Sequence, residues 1–410
     1  MAISRGTVPF LVAMMLLTGV CNTLVTKYQD KQCVRNCEDE NSAHRIYFNQ
    51  PVLQTAQMFV GEMGCWLVVG ISAAYRRIAA RRSPAERGYR AINSSRADDE
   101  DDDTIDDGPP SVLRGYRVLL LALPAICDIC GTTLMNIGLL LVAASIYQMT
   151  RGALVLFVGL FSVVFLRKTL HLFQWISLVG VVLGVAVVGL AGAIWPDVKA
   201  NLVSRDLSAI TDSPDGLSDV AKAIIGVVLI AGAQIFTATQ FVLEEWMLEN
   251  SPIDPIQVVG WEGLFGLVTT VVVMIVLHLA IGRTEAGRYG YFDAAEGLRQ
   301  MWHEKALLVS SVVIMISIGG FNFFGLSVTR TVSATSRSTI DTCRTLFIWV
   351  VSLGLGWESF KWLQIVGFAL LVYSTFLFNG IVQPPFEFLR IEEETEELLP
   401  EEPIEHLCGV

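Results

Sequence analysis

Long, nearly unbroken apolar stretches follow one another along most of the chain, in place of the narrow apolar stripes of surface helices. Examples are Val8–Val25, Ile176–Ile194 and Val268–Ile281. About 20 apolar residues in a helix cross the hydrocarbon core of a bilayer. Lipid cannot hydrogen-bond the backbone, so such stretches must be helical. The pattern predicts an all-α membrane protein.

Ten transmembrane helices are predicted from these stretches. Their approximate bounds are 7–26, 51–75, 118–141, 143–166, 173–195, 222–247, 255–281, 306–328, 332–355 and 361–382. The first stretch has an alternative interpretation as a secretory signal peptide, with Arg5 as its basic end and small residues near 13–21 as the cleavage site. The internal repeat described next requires a first helix and so favours a membrane span.

The two halves of the chain resemble each other. One constant offset relates Phe173, Trp175, Val179, Gly180, Leu183 and Leu190 to Phe360, Trp362, Val366, Gly367, Leu370 and Leu377. Ala144, Leu156, Phe157 and Ser162 likewise match Ala334, Leu346, Phe347 and Ser352, and Gln57 and Glu62 match Gln257 and Glu262. The repeat unit is therefore five helices, and because five is odd, the second copy crosses the membrane in the opposite direction. Such inverted repeats are typical of secondary transporters, which bind substrate near the midplane between the halves.

The domain division follows from this repeat. Residues 1–195 are predicted to form the first five-helix repeat, with a disordered cytosolic loop at 78–115. Residues 196–221 are a hydrophilic connection, 222–382 form the second repeat, and 383–410 are an acidic, disordered cytosolic tail.

The net charge of −11 is concentrated outside the apolar stretches, in Asp98–Asp107 and in the tail. It therefore says nothing about the membrane part, and no basic stripe predicts nucleic-acid binding. The loop Arg76–Arg117 carries nine arginines. By the positive-inside rule this loop is cytosolic, and ten spans then place both termini in the cytosol.

Six ionisable residues fall well inside the predicted spans, away from their ends. They are Glu62, Asp128, Arg151, Glu262, Asp341 and Arg344. Each costs roughly 2.5–3.5 kcal/mol at the centre of a helix, so these side chains should face the interior of the bundle. Two polar stripes with helical spacing accompany them, and they contain Ser145, Gln148 and Arg151 on span four and Thr335, Ser338, Asp341 and Thr345 on span nine.

The repeat makes Arg151 and Asp341 equivalent positions of opposite charge, which predicts that they pair or compete for substrate across a shared cavity. The alternative is a structural clamp in which Asp341 and Arg344, three residues apart, neutralise each other. Glu62 and Glu262 are flanked by glycines that allow close helix approach. Each of them either carries a proton or bonds a neighbouring helix.

The cysteines and histidines predict neither a metal site nor a cofactor. Most of the eight cysteines lie in apolar stretches, and the five histidines are scattered. Cys33 and Cys37 share the first hydrophilic loop, where a disulfide is expected if the loop faces an oxidising lumen. No motif of a hydrolase, P-loop protein or metalloenzyme is found, so no enzyme is predicted. Gly180 and Gly184 predict packing within the bundle, with a homodimer as the second option.

Motifs distributed over six spans resemble a known family. They are Asn22–Lys27, Cys127–Thr132, Tyr147–Gly152 with Gly159–Val163, Gln240–Glu245, Glu262–Gly266, and Ser333–Asp341 with Arg344, Thr345 and Trp349. They resemble the drug/metabolite transporter superfamily, and more narrowly the F subgroup of solute carrier family 35, the nucleotide-sugar-transporter-like proteins. The resemblance implies two inverted EamA-like repeats around a central cavity. The site residues it implies are Lys27, Asp128, Gln148, Arg151, Glu262, Asp341 and Arg344.

The expected function is alternating-access transport of a polar or charged small metabolite across an organelle membrane, with proton coupling as a further hypothesis. Two arginines suit a phosphate, but the four intramembrane acids argue against a clear nucleotide site. The alternative is a non-transporting scaffold or regulator that acts through its cytosolic loop and tail. Glu394, Leu398 and Leu399 form an acidic dileucine motif. It predicts a sorting adaptor as partner and a lysosomal or endosomal membrane, with Golgi or mitochondrion as alternatives.

Overall fold

A computed structural model describes residues 7–37, 45–82, 115–142, 147, 150–194, 219–284, 290–356 and 360–384. The helices of the first part are α1 (Thr7–Asp30), α2 (Pro51–Met63), α3 (Cys65–Arg82), α4 (Ala122–Leu141), α5 (Leu154–Phe165) and α6 (Leu172–Ile194). Those of the second part are α7 (Asp219–Glu249), α8 (Pro255–Leu277), α9 (Ala294–His303), α10 (Lys305–Thr331), α11 (Ala334–Gly354) and α12 (Trp362–Phe378). A 3₁₀ segment, Gly115–Leu121, leads into α4, and a π-helical turn, His278–Gly282, extends α8.

Seven of the described helical segments are long and apolar enough to cross a membrane, as judged by length and composition. They include one segment made of α2 and α3, which follow each other with a one-residue interruption at Gly64. Two shorter apolar helices, α5 and α12, accompany them. The prediction of an all-α membrane protein is confirmed at this level.

The sequence pattern missed two small features. Strand β1 (Cys33–Arg35) pairs antiparallel with β2 (Ile46–Tyr47) in the loop between α1 and α2. Helix α9 is short and amphipathic, and its N-terminus is capped by Asp293, which accepts a hydrogen bond from the Glu296 amide. Neither segment has the apolar length on which the prediction of spans depends.

The described spans pack mainly on helices of the opposite half of the chain. Helix α1 packs on α10, α2 on α8, α4 on α7 and α6 on α12, and α5 packs on α7 as well as on α11. The closest of these contacts use glycine. A Cβ on Gly184 of α6 would lie 2.8 Å from the Leu371 backbone nitrogen and 2.9 Å from the Gly367 oxygen of α12. The glycine face of α6 is thus covered within the bundle.

Candidate functional site

Five charged residues lie within electrostatic range of one another between the helices. We call them the acidic cluster, and they are Glu62 of α2, Asp128 of α4, Glu244 of α7, Glu262 of α8 and Arg337 of α11. The cluster holds four acids and one base, and it draws on helices of both halves. Removing so many charges from water is costly, so each of them needs a partner in the protein or in a ligand.

Arg337 is fixed in place by contacts on several sides. Its guanidinium forms an ion pair with Glu244, and both side chains are almost fully buried, at 2% and 1% exposure. The guanidinium carbon also lies 4.2 Å from the centre of the Phe241 ring. Gly325 of α10 leaves room for it, because a Cβ there would lie 2.9 Å from Arg337 Nε. Gln240 donates a hydrogen bond of 2.9 Å to the second oxygen of Glu244.

The two glutamates at equivalent repeat positions have different surroundings. Asn322 of α10 donates a 2.6 Å hydrogen bond to Glu62 Oε1. Glu262 is only 7% exposed, and its Oε1 has no hydrogen-bond partner among the described residues. Both lie where α2 crosses α8, since a Cβ on Gly263 would lie 2.7 Å from Glu62 Cβ. One glutamate is therefore hydrogen-bonded, and the other has a free oxygen.

The internal repeat explains this difference. Asp128 and Gly131 of α4 have the same spacing as Asn322 and Gly325 of α10. The number of positions between Asp128 and Asn322 is smaller than the number that relates span two to span seven and larger than the number that relates span four to span nine. By the repeat, Asn322 and its partner Glu62 correspond to Asp128 and Glu262. The amide of the first pair is replaced by a carboxyl group in the second.

A second group lies on the same helix as Arg337. Asp341 and Arg344 of α11 form an ion pair of 3.2 Å between Oδ1 and Nε. Arg344 also lies 4.7 Å from the centre of the Phe321 ring, and Arg151 is within electrostatic range of it. Arg337, Asp341 and Arg344 occupy positions i, i+4 and i+7, so the two groups share one face of α11, with about 6 Å of helix rise between Arg337 and Asp341.

An ion-pair network lies where α5 and α7 end and α11 begins. Lys168, which follows α5, pairs with Glu245 and, at 2.8 Å, with Glu249 of α7. Glu245 also accepts a hydrogen bond from the Ala334 amide at the start of α11. Burial lowers the pKa of Lys168, but the hydrogen bonds to both glutamates outweigh it and hold this pKa above its ordinary value. The network joins the loop after α5 to α7 and α11.

The remaining predicted residues are placed as follows. Lys27 lies in the last turn of α1 and is partly buried. Cys33 and Cys37 form a disulfide beside β1. Gln148 lies outside the described residues, as do the tail residues Glu394, Leu398 and Leu399. In the described part of the chain, no three His, Cys, Asp or Glu side chains are grouped to hold a metal ion.

Arg337 and Glu244 were not among the site residues predicted from the sequence. Both stand close to the ends of predicted spans, where charged side chains commonly reach the membrane surface. One signal was available in the sequence. Arg337 precedes Asp341 by four residues and therefore continues the polar stripe already recognised on span nine.

A bundle of long apolar helices that buries charged side chains between its halves is typical of polytopic helical transporters. One solved crystal structure of a protein superposes with a TM-score of 0.57, covering 92% of this chain and 98% of that chain at 12% identity, which shows a shared fold alone. A family model described as nucleotide-sugar transporter matches residues 112–251.

Two relatives cover most of the chain. Solute carrier family 35 member F6 of Homo sapiens is 36% identical over 92% of this chain and 89% of its own length. An uncharacterized protein of Schizosaccharomyces pombe is 37% identical over 90% of this chain and 97% of its own length. The chain therefore belongs to solute carrier family 35, as the sequence motifs predicted. It is an integral multi-pass membrane protein that transports small solutes and is not an enzyme.

Proposed function

We propose that this protein is a secondary active transporter that moves a polar or charged small metabolite across an organelle membrane by alternating access. Its fold would comprise ten spans in two inverted five-helix repeats. Binding near the midplane, followed by rocking of one half against the other, is the mechanism that such repeats support.

The pairing of helices supports the inverted repeat. Numbered as spans, the contacts between the halves include one with eight, two with seven, three with six, four with nine and five with ten. If every span in these pairs is replaced by its equivalent in the other half, the same five pairs result. A pseudo-two-fold axis between two equivalent halves would produce such a pattern.

The burial of charge between the halves is the observation that carries the proposal. The acidic cluster combines Glu62 and Asp128 of the first half with Glu244, Glu262 and Arg337 of the second. Charged side chains inside a membrane bundle are expensive and usually mark solute or ion pathways. A scaffold that acts through its polar loop and tail would have no use for them.

Orientation and compartment form part of the proposal. Helices α2 and α3 together run from the disulfide hairpin to Arg82, next to the arginine-rich loop. A single crossing thus separates a disulfide, which suits an oxidising lumen, from basic residues that favour the cytosol. This supports cytosolic termini, where an adaptor would read the dileucine motif and deliver the protein to endosomes or lysosomes.

The test begins with metabolite profiles of purified organelles with and without the protein. Solutes that change are then assayed for uptake into proteoliposomes that contain the purified full chain. Glu262→Gln should reduce uptake by at least about tenfold without loss of folded protein, because it removes a buried carboxyl group of the acidic cluster. Arg330→Gln, at an exposed ion pair with Asp254, serves as the control.

Two results would contradict the proposal. Unchanged metabolite profiles together with no uptake of any solute would favour the scaffold alternative. Equal uptake by Glu262→Gln and Arg330→Gln would place the solute pathway outside the acidic cluster. Proton coupling is tested in the same vesicles, because uptake should depend on the direction of an imposed pH gradient.

A further inference from the structure

We propose that the acidic cluster is a cation site in which Asp128 and Glu262 are the ligands, and that the transported solute carries an organic ammonium group. The inference rests on the transport function proposed above and names the substrate class of that site. Protons occupy the two carboxyl groups when the solute is absent, so solute and protons compete for one position.

Two of the four acids already have partners within the protein. Glu244 is neutralised by Arg337, and Glu62 accepts the hydrogen bond from Asn322. Asp128 and Glu262 lie within electrostatic range of Arg337, but neither forms an ion pair with a base among the described residues. With Glu262 Oε1 buried and unpartnered, these two carboxyl groups are the ones left to take up a proton or a cation from outside the protein.

The other half of the molecule provides an internal comparison. There the amide of Asn322 donates to Glu62, which satisfies the carboxylate without any ligand. At the corresponding position Asp128 offers a carboxyl group, which donates nothing when ionised. The same backbone arrangement is thus satisfied in one half and needs a proton or an ammonium group in the other.

The chemistry of the cluster argues against an anionic solute. Arg337 is paired with Glu244 and lies over the Phe241 ring, which leaves its buried Nε without a hydrogen-bond partner among the described residues. Arg344 is paired with Asp341 and lies over the Phe321 ring. A phosphate is best bound by a guanidinium group with free donors in a planar fork. Arg151 belongs to the group around Arg344 rather than to the acidic cluster. A nucleotide placed among these four acids would meet net repulsion.

Ligand-dependent thermal stability of the purified full chain in detergent tests the proposal. The probes are choline and putrescine as organic ammonium ions and uridine monophosphate as the anion. A ligand that binds the folded state raises its unfolding temperature. We expect an ammonium probe to stabilise the wild type and the nucleotide to have no effect. Asp128→Asn and Glu262→Gln should each weaken that binding by about tenfold to a hundredfold, the range for a lost hydrogen bond to a charged group.

Asp128→Asn copies the residue found at the equivalent position and should therefore fold. Glu304→Gln, an exposed position at the start of α10, is the matched control and should bind like the wild type. Proton release into weakly buffered solution is measured alongside, and the wild type should release about one proton or more per bound ammonium ion.

Each outcome is decisive. If no ammonium probe binds but Asp128→Asn takes up about one proton fewer than the wild type between pH 7 and pH 4, the occupant is a proton and the ammonium substrate is wrong. Stabilisation by the nucleotide alone would overturn the cation site, as would unchanged ligand binding and proton uptake in both variants. A chain that binds ammonium ions in detergent but carries no solute in proteoliposomes would instead refute the transport function and leave the site standing.

Discussion

Replacing Arg337 with methionine should destabilise the protein strongly. The substitution keeps a long side chain next to Phe241 but removes the positive charge that neutralises Glu244. Both side chains are almost completely buried, so water cannot take over the role of the guanidinium. The carboxylate of Glu244 would keep only the hydrogen bond from Gln240.

The size of the effect follows from burial. Removing one partner of a buried ion pair typically costs about 3–5 kcal/mol, because the other charge stays buried without compensation. Loss of the contact with the Phe241 ring adds about 0.5–2 kcal/mol. The double variant Arg337→Met with Glu244→Gln leaves no charge behind and should recover most of the loss. The single substitutions should therefore be strongly non-additive.

Thermal and denaturant unfolding of the purified protein in detergent measures these differences, with size-exclusion profiles as a check on folding. Arg330→Met is the matched control. It makes the same substitution at an exposed ion pair, 3.7 Å from Asp254, where a loss of less than about 1 kcal/mol is expected. If Arg337→Met cost no more than Arg330→Met, Arg337 would lie in water and the close-packed picture of the acidic cluster would be wrong.

Three further predictions concern the packing of the helices, the disulfide in the loop between α1 and α2, and the ion pairs of Lys168. Gly184→Leu forces a side chain into the backbone of α12 and should cost more than about 3 kcal/mol or prevent folding. Its control in the same unfolding assay is Gly232→Ala, which should be neutral or stabilising because no atom lies within 4 Å of the new Cβ. Cys33→Ser should cost about 2 kcal/mol, and reductant should destabilise the wild type but not the variant. Lys168→Met leaves two acids without their base and should cost about 1–3 kcal/mol, an effect that disappears if both glutamates are also replaced by glutamine.

The helical class and the family were predictable because both depend on local sequence. A stretch such as Ile176–Ile194 can satisfy its backbone in lipid only as a helix, and the motifs around Asp128 and Glu262 are contiguous in the chain. The alternative that Asp341 and Arg344 neutralise each other was also within reach, since both lie on one helix at a spacing that allows contact.

The partners of the other charges were not predictable, because they depend on which helices meet. The pair between Glu244 and Arg337 joins α7 to α11 across 93 positions of sequence, and nothing local to either residue indicates the other. The bond from Asn322 to Glu62 joins helices of opposite halves in the same way. These partners can be identified only when the packing of the helices is known, and that packing depends on glycine contacts such as that of Gly263 with Glu62.

In the inverted repeat proposed above, the two halves carry unequal charges at some equivalent positions. Glu62 and Glu262 are alike, but Arg151 corresponds to Asp341, and Asp128 corresponds to Asn322. The same inequality means that the two halves do not respond alike when a cation is bound. A ligand shifts a conformational equilibrium only if it binds the two states with different affinity. A solute whose binding site lies mainly in one half can therefore favour one of the two access states. Asp128→Asn, which makes the two halves more alike, should therefore weaken the coupling between solute binding and the change of access as well as the binding itself.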